Sequence, residues 1–309
     1  FIGNIHDNAI HEEVLTPVGS TFKCEPRRDF LRANNGWFRP VSTQTGPDGN
    51  LWVMDWCDKY PCYQNAKANP EGVDRGRGRI WRVVVDAEKS LGSRDLGDLD
   101  LKKLPTAALV KTLEHPNNWM RRMARRMLVE RRPAKGIEGE AVIGLTHLWR
   151  DAGSATTRTE AMWTLGSANY FGAIQTSTNP LVTDSSDELA PIRAWCARLI
   201  GENPHRPILF SDPKTIEALT KLASDSDPIV RYSVAVALRQ SSESRLTVDR
   251  GTFKPWSASA WQVLAALLKN DDKDSPRYAF AVWQALEPQI SSNPAGSIEW
   301  LSGIAPTTQ

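Results

Sequence analysis

The residues best equipped for chemistry cluster in one short stretch, Asp55-Trp56-Cys57-Asp58, and in the polar loop behind it. Asp55, Asp58, Glu71 and Asp74 are carboxylates that could gather around calcium, but their spacing fits no EF-hand-type loop. Solvated loop carboxylates are the plainer reading, and Asp55, Trp56 and Asp58 stay as a candidate loop site without a metal. Cys57 and Cys62 share the loop and read either as a disulfide or as two free thiols. A catalytic thiol needs a basic partner, and no His lies near in sequence. His6 and His11 fall on opposite faces of a regular strand, which argues against a shared metal. Arg121, Arg122, Arg125 and Arg126 make a basic helix face, read as salt bridges and stem packing rather than a phosphate site. None of these residues is assigned a catalytic role.

Short strands must hold that stretch in place. Residues 38–45 and 51–55 are apolar runs on either side of Gly46-Pro47-Asp48-Gly49-Asn50. In such a turn Pro presets φ, Asp caps locally and Gly takes positive φ. A long polar loop over 57–77 leads to a last strand at 80–85. Upstream, residues 1–24 read as two short strands broken at Pro17-Val18-Gly19-Ser20. Residues 27–36 read as a charged linker with one helical turn at Asp29-Phe30-Leu31. Strand, turn, strand, long loop and strand is the cadence of one β-propeller blade.

After a linker at 87–100 rich in Asp, Ser and Gly, the period changes. Arg122, Arg158, Arg193, Arg231 and Arg277 each open an apolar helical pattern, at intervals of 35 to 46 residues. Partner helices are expected at 105–113, 138–150, 213–223 and 257–268. Helix pairs at about 40 residues are the signature of HEAT repeats. The repeated arginines are expected to form an inter-repeat ladder with Asp and Glu near the turns. Trp119, Trp163, Trp195 and Trp283 recur near equivalent positions and read as core or groove packing. The predicted fold is therefore mainly α: a HEAT-like α-solenoid of about five repeats at 101–309, preceded by a partial β-propeller blade region at 1–86.

Composition narrows the function classes. Lys and Arg total 38 against 36 Asp and Glu, a net charge of +2, which is no nucleic-acid signature. No apolar run approaches the ~18 residues of a membrane span. The chain starts at Phe1 without an initiating Met or a signal peptide and reads as a piece cut from a longer protein. The absence of Cys-x-x-Cys-His leaves no c-type haem attachment in this stretch.

Five motifs carry a family resemblance: Gly19-Ser20-Thr21-Phe22; Trp37-Phe38-Arg39-Pro40-Val41; Gly46-Pro47-Asp48-Gly49; Asp55-Trp56 with Asp58 and Cys62; and Gly78-Arg79-Ile80-Trp81-Arg82. Together they resemble the last blade of propeller dehydrogenases related to soluble pyrroloquinoline-quinone (PQQ) sugar dehydrogenases. The order of blade then HEAT repeats is similar to large planctomycete and verrucomicrobial proteins named as membrane-bound dehydrogenases. Those continue into a haem-binding cytochrome c domain, which is absent here. The resemblance implies a parent that oxidises a sugar or alcohol and passes electrons from PQQ to haem c. It implies calcium in the parent propeller and a periplasmic or secreted location. In PQQ sugar dehydrogenases the strand before this turn carries two arginines that hold the cofactor's carboxylates. Arg39 falls on the second position and Trp37 on the first, so Arg39 is the implied cofactor contact. The catalytic base and the calcium ligands lie in earlier blades, so this stretch alone is expected to be inactive and mainly a scaffold. The alternative is a non-catalytic scaffold, with the solenoid's concave face docking a protein partner or the propeller binding carbohydrate.

Overall fold

The computed structural model describes residues 1–59, 67–68, 76–84, 99–131, 139–173, 179–203, 210–248, 258–270 and 275–304. Glu71, Asp74 and Cys62 lie outside the described residues, as does the expected linker apart from its last two positions. The chain divides into two compact units, one of residues 1–16 with 23–124 and one of 17–22 with 125–309.

Two three-stranded sheets make the first unit's β part. β1 (Ile2–Asn4), β2 (Ala9–Val18) and β3 (Thr21–Arg32) lie in that order. β4 (Pro40–Thr45), β5 (Leu51–Asp55) and β6 (Arg79–Val83) form an antiparallel meander. The apolar residues of these short strands meet in one cluster. Ile10, Phe38 and Val53 are buried at its centre, with Leu31, Ala33, Leu51 and Val83 packed around them. Each of the three central side chains contributes roughly 1.5–3 kcal/mol on leaving water. Gly3 has no Cβ to spare: an added one would lie 2.3 Å from the Pro40 carbonyl oxygen.

The expected meander is present, with its last strand one residue earlier than predicted. The β elements among the described residues are two small antiparallel sheets. The expectation of a linker at 27–36 is corrected. Most of it belongs to β3, a 12-residue edge strand that pairs with β2 along a long hairpin. Hydropathy missed it because most of β3 is exposed, so no apolar alternation marks either face. Pro26 fits there because an edge strand leaves one side of its ladder unpaired.

Helical pairs follow. The described helices are α1 (Thr106–Thr112), α2 (Asn118–Glu130), α3 (Gly139–Asp151), α4 (Ala155–Ser167), α5 (Pro180–Thr183), α6 (Ala190–Glu202), α7 (Pro213–Ala223), α8 (Pro228–Val248), α9 (Ala258–Leu268), α10 (Pro276–Ser292) and α11 (Pro294–Ile304). Caps set several starts. The Ser154 hydroxyl accepts from Thr157 N, and the Asp212 carboxylate accepts from Thr215 N. Pro occupies the first turn of α5, α6, α7 and α10, where no N–H is needed. Between α4 and α6 the described residues form the short helix α5 and two 3₁₀ turns. Gly201 lets α6 approach α8 closely; a Cβ there would sit 2.6 Å from the Ala237 Cα.

Candidate functional site

Asp55 ends β5 with its side chain fully buried. One carboxylate oxygen accepts from the backbone N–H groups of Arg39 (2.7 Å) and Cys57 (2.9 Å). The other accepts from Arg79 Nε and Trp81 Nε1, both at 2.8 Å. Four donors thus converge on one carboxylate and tie β4, β5, β6 and the following loop together. Arg39 is 5% exposed. Its terminal nitrogens donate to the carbonyls of Phe38 (3.1 Å) and Lys59 (2.5 Å). Its Nε is buried without a hydrogen-bond partner among the described residues. Burial lowers the guanidinium from its ordinary pKa, and the nearby carboxylates of Asp58 and Asp55 partly restore it. Bidentate carboxylate binding needs an open fork of N–H groups. In this conformation both terminal nitrogens of Arg39 already donate to backbone carbonyls. Asp58 is also buried, while Trp56 is 59% exposed and is the accessible member of the loop site.

The turn does more than reverse the chain. Asp48 accepts from Asn50 N, Asn50 Nδ2 and Trp52 Nε1, each at 3.1 Å, and pairs with Arg82 Nε at 2.5 Å. Burial pushes its carboxyl up, but the hydrogen bonds from Trp52 and Asn50, with the Arg82 charge, outweigh this and hold it below the ordinary range. Gly49 sits at φ +80°, and a Cβ on Gly46 would lie 2.1 Å from Trp52 Nε1. This cluster is structural in every contact.

His11 and His6 are not joined at a site. His11 bonds to Asp29 at 2.5 Å and to Asn4 at 2.9 Å. Among the described residues, no group of three or more His, Cys, Asp or Glu could hold a metal ion. Cys57 carries no disulfide there, and its expected partner Cys62 lies outside the described residues. No helix among the described residues is long and apolar enough to cross a membrane.

Along the solenoid, the arginine ladder is real but partly shifted. Arg193 grips the Asp225 carboxylate through Nε (2.7 Å) and a terminal nitrogen (2.9 Å), bridging to the next repeat. Arg158 reaches Asp187 of the next repeat through one terminal nitrogen, while its Nε donates to Trp149 O at 2.7 Å. Arg193 also donates to Asp187 O and Glu188 O, and Arg231 donates to Asp225 O and Ser226 O. These carbonyls lie six and five residues upstream. In the first copy the residue in that geometry is Arg121, bonded to His115 O and Pro116 O, rather than Arg122. In the last copy Tyr278 takes the position, donating its hydroxyl to Leu267 O at 2.8 Å. Arg122 and Arg277 are exposed. The buried third and seventh residues decide the register: Ala124 and Leu128 follow Arg121, and Ala281 and Ala285 follow Tyr278.

Among the described residues, two grooves open on these helices. One, of about 450 Å³, is lined by Arg125, Trp163, Gly166, Ser167, Trp195, Leu199 and Glu202. Trp163 and Trp195 meet edge to face at 5.2 Å, with Arg125 over the first ring and Arg198 over the second. Arg125 is also bound to buried Glu160 at 2.6 Å. The other groove, of about 280 Å³, is lined by Tyr232, Val236, Arg239, Arg277, Phe280, Ala281 and Gln284. Counting from the register residue, Trp195 and Phe280 hold the second position, and Trp163, Arg198, Val236 and Trp283 hold the fifth. Both grooves therefore use the same helix face. Of the recurring tryptophans, Trp163 and Trp195 are half-buried and line the first groove, as core or groove packing predicts, while Trp283 is 51% exposed. Arg198, Tyr232, Arg239 and Phe280 escaped sequence reasoning, although their places relative to the repeated arginines carried the signal.

Residues 1–87 match the family model of a domain of unknown function, DUF7133, and residues 178–287 match that of HEAT repeats. The helical part thus contains HEAT repeats, a repeat type common in protein-interaction scaffolds. No curated protein matches the chain. Among solved structures, an engineered protein from a structural-genomics consortium is 19% identical. The match covers 66% of this chain and 90% of that one, at a TM-score of 0.34.

Proposed function

We propose that this chain is a binding scaffold whose HEAT face docks a protein partner. One observation supports this most: aromatic and arginine side chains line two grooves on the same helix face, at equivalent repeat positions. A solenoid core does not need Phe280 60% exposed and Trp283 51% exposed. In the sheets, by contrast, Arg39, Asp48 and Asp55 are spent on holding strands and loop together. The test is affinity capture from native extract with the wild-type chain and with Phe280→Ala/Trp283→Ala. A defined partner recovered in stoichiometric amount by the wild type and lost by the variant, at equal melting temperature, supports the scaffold. Equal capture by both removes the grooves from consideration.

The dehydrogenase parent is the second reading. It rests on the motifs at 37–41, 46–49 and 78–82. In that reading this stretch is carried by an enzyme oxidising a sugar or alcohol, with PQQ, calcium and haem c bound elsewhere in the polypeptide, outside the cell membrane. Reconstituting the full-length protein with PQQ and calcium and following sugar-dependent dye reduction is the assay. No reduction over a broad sugar panel, with no PQQ bound, would end it.

A further inference from the structure

One side-chain amide fixes where the ring proton of His11 sits. In the β1–β2 pairing His11 stands opposite Ile2 and Asn4 opposite Ala9. The Asn4 side-chain oxygen accepts from the backbone N–H groups of His6 (2.9 Å) and Asp7 (3.3 Å). Those two donors set which end of the amide is oxygen and which is nitrogen. The Asn4 nitrogen therefore faces His11 Nε2 at 2.9 Å and Asp7 Oδ2 at 3.2 Å. An amide nitrogen only donates, so Nε2 accepts and the ring proton lies on Nδ1. Asp29 Oδ1, 2.5 Å from Nδ1, is the acceptor that tautomer needs. Arg32 holds the other Asp29 oxygen through Nε (2.9 Å) and one terminal nitrogen (2.6 Å). Its second terminal nitrogen donates to Asp7 O at 3.1 Å.

A second proton on His11 is incompatible with that arrangement. Nε2 becomes a donor and opposes the Asn4 N–H group. Asp7 Oδ2, 3.9 Å from Nε2, is the carboxylate oxygen positioned to replace Asn4. Among the described residues, Asp7 and Asp29 are the carboxylates within ion-pair reach of the ring. They share one bonded cation, Arg32, and an imidazolium supplies a second. Other titratable groups are few nearby. β1 and β4 contain none. On β2, Glu12 and Glu13 follow the ring, and Glu13 accepts from Cys24 Sγ at 3.2 Å. The turn adds His6, whose N–H is capped by Asn4. The His11 side chain is 26% exposed, so solvent protons reach it. The bonds from Arg32 and His11 hold the Asp29 carboxyl below its ordinary range. Asp29 therefore stays charged where histidines change charge, between about pH 5 and 8.

From this geometry we infer that the β1–β2 turn, residues 4–9, is a proton-operated switch. With His11 neutral, Asn4 bridges the ring, the Asp7 carboxylate and the turn amides. With His11 charged, Asp7 accepts from Nε2 and the Asn4 amide leaves the ring. Arg32 passes the change to β3, because one guanidinium holds both Asp29 and the Asp7 carbonyl. A local change of charge thereby becomes a change of shape at the turn.

The test is nuclear magnetic resonance of the full chain, labelled with nitrogen-15 and titrated between about pH 8 and pH 5. His11→Gln identifies the His11 ring among the five histidines, and circular dichroism checks that its sheets persist. At the upper end the ring nitrogens are expected to show the Nδ1–H tautomer. A cross-relaxation contact between the Asn4 amide protons and the His11 ring is expected with it. At the lower end that contact should be lost, and the Asp7 backbone amide should move along the same curve as the His11 ring. The Asp7 movement should vanish in His11→Gln. A neutral ring in the Nε2–H form overturns the switch, as does an Asn4–His11 contact that persists in acid. Full movement of the Asp7 amide in His11→Gln assigns the titration to His6 or Asp7 and overturns it too.

Discussion

Asp55 is the residue on which the β unit most depends. Its carboxylate has no exposure and takes four donors, two from β6, one from the residue before β4 and one from the loop after β5. Asp55→Ala leaves Arg79 Nε, Trp81 Nε1 and two backbone N–H groups without their acceptor. Breaking a buried pair from one side is costly, and a loss of about 3 kcal/mol is expected in urea unfolding of the sheets. Asp55→Asn keeps one carbonyl acceptor and should lose less. An Asp55→Ala chain as stable as wild type would contradict the hub role. Asp55 stood out in the sequence as a carboxylate beside Trp56, but its purpose did not. A candidate metal ligand and a strand-tying acceptor look alike until the donors around them are placed.

Two elements carry tests of close packing and of the ladder. Gly201 on α6 meets Ala237 on α8 with no room for a methyl group. Gly201→Ala should raise helix propensity yet destabilise the chain by about 1–3 kcal/mol through overpacking. A rise in melting temperature would refute the close approach. Arg193 and Asp225 form a bidentate bridge between repeats, with side chains 17% and 11% exposed. Single replacements by Ala should each cost about 2 kcal/mol, and the double mutant should cost clearly less than their total. Additive losses would mean the bridge contributes nothing. The sequence exposed this ladder through its period, since Arg158, Arg193 and Arg231 each precede the same apolar spacing. It misplaced both ends, because two adjacent arginines at 121 and 122, and Arg277 beside Tyr278, fit the pattern almost equally well. Burial of Ala124 and Ala281 broke the tie.

Over the whole molecule, carboxylates in both units are held below their ordinary pKa. At Asp225 burial opposes ionisation, but the bonds from Arg193 and Asp227 N prevail; Asp48 behaves likewise in the β unit. A depressed folded pKa means these contributions are complete above the unfolded carboxylate value of about 3.9. They are lost as pH falls from there through the lower folded values. Stability should therefore be flat near neutrality and drop in acid below about pH 4. Asp48→Asn and Asp225→Asn should each flatten that drop while lowering stability at pH 7. Acid unfolding curves that keep their slope in both variants would exclude these two groups as its source.

What the sequence determined by itself was the local and periodic part. The Gly-Pro-Asp-Gly turn, the meander around it and the repeating helix pairs follow from dihedral preference and apolar spacing, which act over a few residues. The extension of β3 through residues 27–32 was not legible, because backbone pairing rather than a buried face sustains it. Only the tertiary structure decided the rest. It turned Arg39 inward onto the carbonyls of Phe38 and Lys59, and Asp48 and Asp55 into structural acceptors. It also gathered Trp195, Arg198, Arg239 and Phe280, residues far apart in the chain, onto one helix face. Such a face is a sum over repeats, fixed by register and by which side of each helix packs, and no local stretch of sequence contains it.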